Sequence, residues 1–253
     1  MQIKITFATF SDKGEREANE DAVGFSSTAG KSCFVLCDGL GGHGLGEIAS
    51  SLVVQVILSV FQNHKRLPIF LKEAFSAAQD ILLAEQIKQN ARKQMKTTVT
   101  VLALDCHRAY IGHVGDSRVY VFQNNQVRKR TLDHSIPQQL VAAGEITPDE
   151  IRNHPDRNFL LRVMGTPWED PQYELMKPIF LKRGQAFLLC SDGFWEFVDE
   201  STMCSLLEKS TSVQEWVNGM AEIARINGNG KNMDNFSAIG VWCEKRRWAF
   251  GKN

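Results

Sequence analysis

The sequence predicts an α+β fold in which mostly antiparallel strands, grouped into sheets, are interleaved with pairs of helices. Three observations lead there. Apolar residues from Leu45 to Val60 recur at three- and four-residue spacing, and a second helical pattern opens at Pro68. β-Branched or aromatic runs at 97–104, 109–114 and 119–122 are parted by short turns. Two more helical patterns then occur together, ahead of one last apolar run. Sheets grouped between helix pairs point to layered, antiparallel packing. A stacked pair of sheets with helices outside fits the count, as do other α+β arrangements.

The elements follow in order. Ile3 to Phe10 alternates as a strand does, and Ala22–Phe25 with Cys33–Cys37 reads as a hairpin. The helix after Pro68 runs through Phe75, Ala78, Ile81 and Leu82 toward Ile87. Asp105–Arg108 and Gly115–Arg118 supply turns of the following meander, which Asn124-Asn125 ends. From His134 to Gly165 the sequence is polar, helical and punctuated by proline, an excursion from the sheet with no strand pattern. Strands resume at 173–180 and 186–190. Helices at 199–207 and 213–226 and a strand at 237–242 complete the order. Without a repeat or linker, residues 1–253 read as one domain with a short basic tail at 245–253.

Composition narrows the function. A 43% hydrophobic and 23% charged chain is globular rather than disordered. Twenty-nine basic residues balance twenty-nine acidic ones. Neutrality removes the electrostatic case for nucleic acid or an anionic membrane. No secretory signal is evident, and no stretch approaches the ~20 apolar residues of a membrane span. The six cysteines lie mostly in apolar runs and form no Cys-x-x-Cys pair, which fits buried free thiols in a reducing cytoplasm.

The acidic residues carry the chemistry. Asp38 follows the apolar run Phe34–Cys37 and precedes Gly39; Asp192 follows 187–191 and precedes Gly193. Asp116 ends the run 111–115, Asp234 precedes the last strand, and Glu20-Asp21 precedes another. One Asp-Gly pair shapes a turn. Carboxylates at the edges of five separate strands suggest more, because converging carboxylates repel unless a cation lies among them. All-oxygen ligands select Mg²⁺, Mn²⁺ or Ca²⁺ over zinc or copper.

These residues also stand in ordered motifs. Gly14-Glu15-Arg16-Glu17-Ala18-Asn19-Glu20-Asp21, Asp38-Gly39-Leu40-Gly41-Gly42-His43-Gly44 and Gly46-Glu47-Ile48-Ala49-Ser50 are followed by Val114-Gly115-Asp116-Ser117-Arg118-Val119-Tyr120. Thr131–Ser135, Ser191-Asp192-Gly193 and Asp234-Asn235-Phe236-Ser237 complete the set. Together they resemble, in order and over nearly the whole chain, the metal-dependent protein phosphatases of the protein phosphatase 2C family in its bacterial form. The resemblance implies a central antiparallel β-sandwich flanked by helix pairs, four layers in the order αββα. It also implies a helical flap at about 134–165 that influences substrate choice.

By the same likeness Asp38 bridges two Mn²⁺ or Mg²⁺ ions, and the Gly39 carbonyl joins it on one. Asp192 and Asp234 ligate the other. Glu20 and Asp21 hold the cluster directly or through water, and Asp116 binds a third ion. The implied activity is hydrolysis of phosphoserine or phosphothreonine in proteins through a metal-bridging water, opposing a bacterial Ser/Thr kinase and its targets. Arg16 is then the phosphate clamp, since a guanidinium forks onto oxyanions. His43 is a candidate acid for the leaving oxygen; His107, His113, His134 and His154 read as structural.

No cysteine stands in a Cys-x₅-Arg loop, against thiol chemistry. Two positions depart from the family pattern: Lys96 replaces the usual glycine, and Ser237 the usual threonine. Neither removes a ligand. A catalytically silent phosphoprotein-binding module should have lost one, and a nuclease should show a basic track. The expected protein is a cytoplasmic monomer that acts on phosphoproteins, without nucleic-acid or membrane partners.

Overall fold

In the computed structural model, which describes residues 3–28, 30–41, 45–64 and 66–244, two antiparallel sheets stack face to face between helices. The chain opens with β1 (Lys4–Asp12), β2 (Asp21–Thr28) and β3 (Lys31–Leu40), followed by α1 (Leu45–Asn63) and α2 (Leu67–Lys88). The meander is β4 (Lys96–Thr97), β5 (Val99–Leu104), β6 (Arg108–Val114), β7 (Arg118–Gln123) and β8 (Gln126–Arg130). After α3 (Ile136–Ala143) and a 3₁₀ turn at Pro148–Asn153 come β9 (Glu174–Leu175), β10 (Ile179–Phe180) and β11 (Gln185–Cys190). The rest is α4 (Asp192–Trp195), α5 (Glu200–Lys209), α6 (Val213–Gly228) and β12 (Phe236–Glu244). One sheet has the order β1-β12-β11-β7-β8. The other runs β10-β6-β5-β3-β2, with β4 on β3 and β9 on β6.

Alternation along each strand builds three apolar layers. Phe34 and Leu36 of β3 meet Phe187, Leu189, Ile239 and Val241 between the sheets. Cys33, Val35 and Cys37 face the other way, onto α1 and α2. Leu188 and Cys190 of β11 turn outward onto Trp216, Val217 and Met220 of α6. Each central strand is thus buried on both faces, so it reads as an unbroken apolar run. The predicted αββα order is the observed one. Asp199 and Ser212 cap α5 and α6 by accepting the Thr202 and Glu215 N–H groups.

The structure corrects several expectations. Asn124-Asn125 does not end the meander: both residues take positive φ (54° and 57°) and turn β7 into β8. β8 escaped notice because Gln126-Val127-Arg128-Lys129-Arg130 is polar, as an edge strand must be to resist further pairing. The 97–104 run breaks at Thr98, and the 173–180 run yields only two two-residue strands. α1, nineteen residues with Glu47 its one charge, is long and apolar enough to cross a membrane; here its apolar stripe packs on β2, β3 and α2.

The excursion holds α3 and the 3₁₀ turn, and both its ends are tied to the sandwich. His134 N–H donates to Gly115 O (3.0 Å). At the far end two buried glutamines of α2 grip Gly165: its N–H donates to Gln79 Oε1 (2.8 Å), and its carbonyl accepts from Gln86 Nε2 (2.8 Å). The basic tail at 245–253 lies outside the described residues.

Candidate active site

The candidate ligands converge at one end of the sandwich, in a cleft of about 570 Å³ lined by Arg16, Glu20, Asp38, Asp116, Asp192 and Asp234. Six positions spread over 219 residues of sequence reach it because the ends of β2, β3, β6, β11 and β12 meet there.

Asp38 stands in β3, not in a turn as its Asp-Gly sequence predicts. β3 continues to Leu40, and Gly39 pairs with Thr97. Thr98 fixes the backbone of Asp38 from both sides: its Oγ1 accepts the Asp38 N–H (3.0 Å) and its own N–H donates to the Asp38 carbonyl (2.8 Å). The glycine has a steric reason. A Cβ on Gly39 would lie 2.3 Å from Gly46 O and 2.6 Å from Glu20 O. Register places Asp21 of β2 directly opposite Asp38.

Asp21 is almost wholly buried. Its Oδ2 accepts from Ser191 Oγ (2.8 Å), whereas Oδ1 has no partner, a costly state for a carboxylate oxygen. Ser191 Oγ in turn accepts the Ser237 N–H (2.9 Å), so the departure at Ser237 leaves this link to the backbone intact. Glu20 is set by Asn235, whose Oδ1 accepts the Glu20 N–H (2.7 Å) while its Nδ2 donates to Lys13 and Ala18 carbonyls. Asp192 opens α4 instead of sitting in a turn, and its Oδ1 accepts the Gly193 N–H (2.6 Å). Asp116 is held through its carbonyl, which accepts Trp195 Nε1–H (3.0 Å).

The electrostatics are those of buried carboxylates crowded against one another; among the described residues, only Asp234 is ion-paired of the cleft aspartates Asp38, Asp116, Asp192 and Asp234. Burial, then the carboxylates of Asp192, Asp21, Asp116 and Asp234, pushes Asp38 far above the usual carboxylate range. Burial and the neighbours Asp116, Glu196, Asp234 and Asp21 do the same to Asp192. Burial raises Asp21 to about 7, against its serine hydrogen bonds. Asp116 rises to about 7 through burial and Asp133. Such a group fits hard divalent cations: several oxygen donors, one of them orphaned, preset by main-chain bonds.

Arg16 sits on the cleft rim and forks onto Asp234, Nε to Oδ1 at 3.1 Å and Nη2 to Oδ2 at 2.8 Å. It therefore contacts a candidate ligand directly, a pairing across 218 residues that no local pattern reveals. His43 lies outside the described residues. Lys96 pairs with Leu40 beside the cleft, where it removes no acidic group.

The sequence missed Glu196, one turn after Asp192. Burial raises its pKa, opposed by Arg157 of the excursion, whose Nε lies 2.6 Å away. Asn158 and Leu160, which line the cleft from the same segment, also went unread. Arg118 lies over Trp195 (3.5 Å) and forks onto Asp133 (2.9 and 2.6 Å), bracing the indole that holds Asp116.

A second cluster, His113, His134 and Glu174, brings possible ligand atoms within 4.8 Å of one another. Backbone partners set the tautomers. His113 Nε2–H donates to Leu132 O (2.8 Å), and His134 Nδ1 accepts the Gly115 N–H (3.2 Å). The proton of His134 is thus confined to Nε2, the atom a metal would need, and burial pushes this imidazole down to about 3. The two rings stack on each other, 4.6 Å between centroids.

Comparison with known proteins agrees with this geometry. The family model described as protein phosphatase 2C matches residues 11–226. The serine/threonine protein phosphatase PstP of Mycobacterium tuberculosis is 30% identical over 236 residues, 92% of this chain but 44% of that protein. The chain thus spans less than half the length of that relative. A serine/threonine phosphatase of Listeria welshimeri is 30% identical over 81% of the chain and 83% of its own length. Among solved structures, Stp1 of Staphylococcus aureus superposes with a TM-score of 0.85 at 30% identity, covering 97% of this chain and 96% of that one. The catalytic domain of PstP in complex with two manganese ions gives 0.81 at 27% identity, covering 95% and 99%. With the motifs, the αββα layers and the carboxylate cluster all in place, the chain belongs to the protein phosphatase 2C family.

Proposed function

We propose that the chain is a metal-dependent serine/threonine protein phosphatase. The observation that carries this reading is Asp38, ringed by the carboxylates of Asp21, Asp116, Asp192 and Asp234 on the floor of an open cleft. The relatives named above as serine/threonine phosphatases, one of them bound to two manganese ions, support it.

Asp38, with the Gly39 carbonyl, Asp192 and Asp234, would hold two Mn²⁺ or Mg²⁺ ions, backed by Glu20 and Asp21, with Asp116 serving a third. Bound ions supply an activated water and neutralise phosphoryl charge. The chain does the rest. Thr98, Asn235 and Trp195 hold the backbone at Asp38, Glu20 and Asp116, and Ser191 holds the Asp21 carboxylate, so the segments that carry the acidic groups are in place before substrate arrives. Arg16 offers its guanidinium to the phosphate at the rim. Asn158 and Leu160 meet the peptide flanking the phosphorylated residue, which gives the excursion at 134–165 its role in substrate choice. We also read residues 1–253 as one cytoplasmic, monomeric domain that opposes a Ser/Thr kinase on shared phosphoprotein targets.

The purified chain should release phosphate from a phosphothreonine peptide with Mn²⁺ and lose that activity with EDTA, followed by a colorimetric phosphate assay. A folded, Mn²⁺-loaded sample without turnover would instead make it a silent phosphoprotein-binding module.

A further inference from the structure

We propose that Arg16 is a displaceable counter-ion of the metal site. It neutralises Asp234 in the metal-free chain and leaves when a divalent ion arrives, so the phosphate clamp becomes available only after metal has bound. The proposal rests on the reading of Asp234 as a ligand.

The pairing is built, not incidental. Both Asp234 oxygens are committed to the guanidinium, and Oδ1 also accepts the Asn235 N–H (2.8 Å). The two loops that carry the pair are stitched together. Glu15 accepts the N–H groups of Gly230 (2.6 Å) and Met233 (3.1 Å). Gly14, at φ +60°, lies so close to the other loop that a Cβ there would fall 2.3 Å from Asp234 O. Arg16 therefore cannot drift from Asp234 with its loop; only its side chain can leave.

Other cations near the cleft are engaged elsewhere, Arg157 with Glu196 and Arg118 with Asp133. Among the described residues, Arg16 is the cation ion-paired to a candidate ligand. Both side chains of the pair are more than 40% exposed (42% and 43%), so the bond is weak enough for a divalent ion to break. A monovalent guanidinium outside the cluster cannot match a divalent ion bound to several of its carboxylates at once. While forked onto Asp234, Nε and Nη2 are unavailable to a phosphate. Metal before substrate is then the binding order.

Mn²⁺ binding by calorimetry, without phosphate, tests this on wild type, Arg16→Ala and Arg16→Lys, each checked for fold by circular dichroism. Removing the competitor should tighten Mn²⁺ binding in Arg16→Ala about two- to fivefold. Lysine keeps the charge but cannot fork, and should fall between. A Mn²⁺-loaded crystal should show Arg16 turned off Asp234. Unchanged affinity in Arg16→Ala would overturn the proposal, because Arg16 would not compete. Weaker affinity would also overturn it, because Arg16 would be shaping the ligand. If the wild type itself fails to bind Mn²⁺, the metal site falls, and this proposal with it.

Discussion

Asp38→Asn will cost at least about a thousandfold in Mn²⁺-dependent turnover, more than one lost electrostatic contact usually costs, while raising the melting temperature of the metal-free protein. The two effects share one cause. At Asp38 burial, and then four neighbouring carboxylates, disfavour the ionised form, a cost the unfolded chain does not bear. Asparagine keeps the shape and removes the charge, so the metal-free fold is relieved. Thr98 holds the Asp38 backbone, not its carboxyl, so the β3–β5 junction survives the change. The same substitution removes the proposed ligand at the centre of the cluster. Wild type should gain about 3 kcal/mol of stability at a Mn²⁺ concentration a hundredfold above its dissociation constant, and the variant almost none. Thermal melts with and without Mn²⁺, beside the phosphate assay, read both halves. A metal-free variant less stable than wild type would mean that Asp38 serves the fold and not the ion.

Mn²⁺ binding should release protons at pH 6 and weaken by about tenfold per pH unit, for each proton displaced, as pH falls below 7. Asp21 and Asp116 both titrate near 7 in the folded chain, raised chiefly by burial. At pH 6 they are therefore mostly protonated, and an ion must expel those protons to use the oxygens. The stability of the metal-free chain follows with a definite sign. Between about pH 4 and 7 the folded state binds more protons at these groups than the unfolded chain does, whose aspartates titrate near ~3.9. Their contribution is fully present below the unfolded value and is lost as pH rises through 7. Bound metal inverts this, since it favours the ionised carboxylates. Calorimetry at pH 6 in two buffers of different ionisation enthalpy counts the protons released. No proton release would place these carboxylates at their ordinary values, outside any mutual cluster.

Much of this was legible in the sequence, for physical reasons. Strands buried on two faces appear as unbroken apolar runs, and helices that cover a sheet show a stripe, so the layer order could be read. The candidate ligands stood out because each carboxylate follows or precedes such a run. What escaped detection depends on contacts between distant segments. β8 is polar because it is an edge, so its pattern looks like loop. The main-chain setting of Asp38 depends on Thr98 breaking its own strand sixty residues later. Glu196 looks like an ordinary helical glutamate until Arg157 meets it from the excursion. The fork between Arg16 and Asp234 spans 218 residues and leaves no local trace.

Crystals grown with Mn²⁺ and measured at the manganese absorption edge test the central claim most directly. Two anomalous peaks between Asp38, Asp192 and Asp234, within oxygen-ligand distance of those side chains, are the predicted result. A map with no peak in the cleft, or with manganese only at His113 and His134, would contradict it.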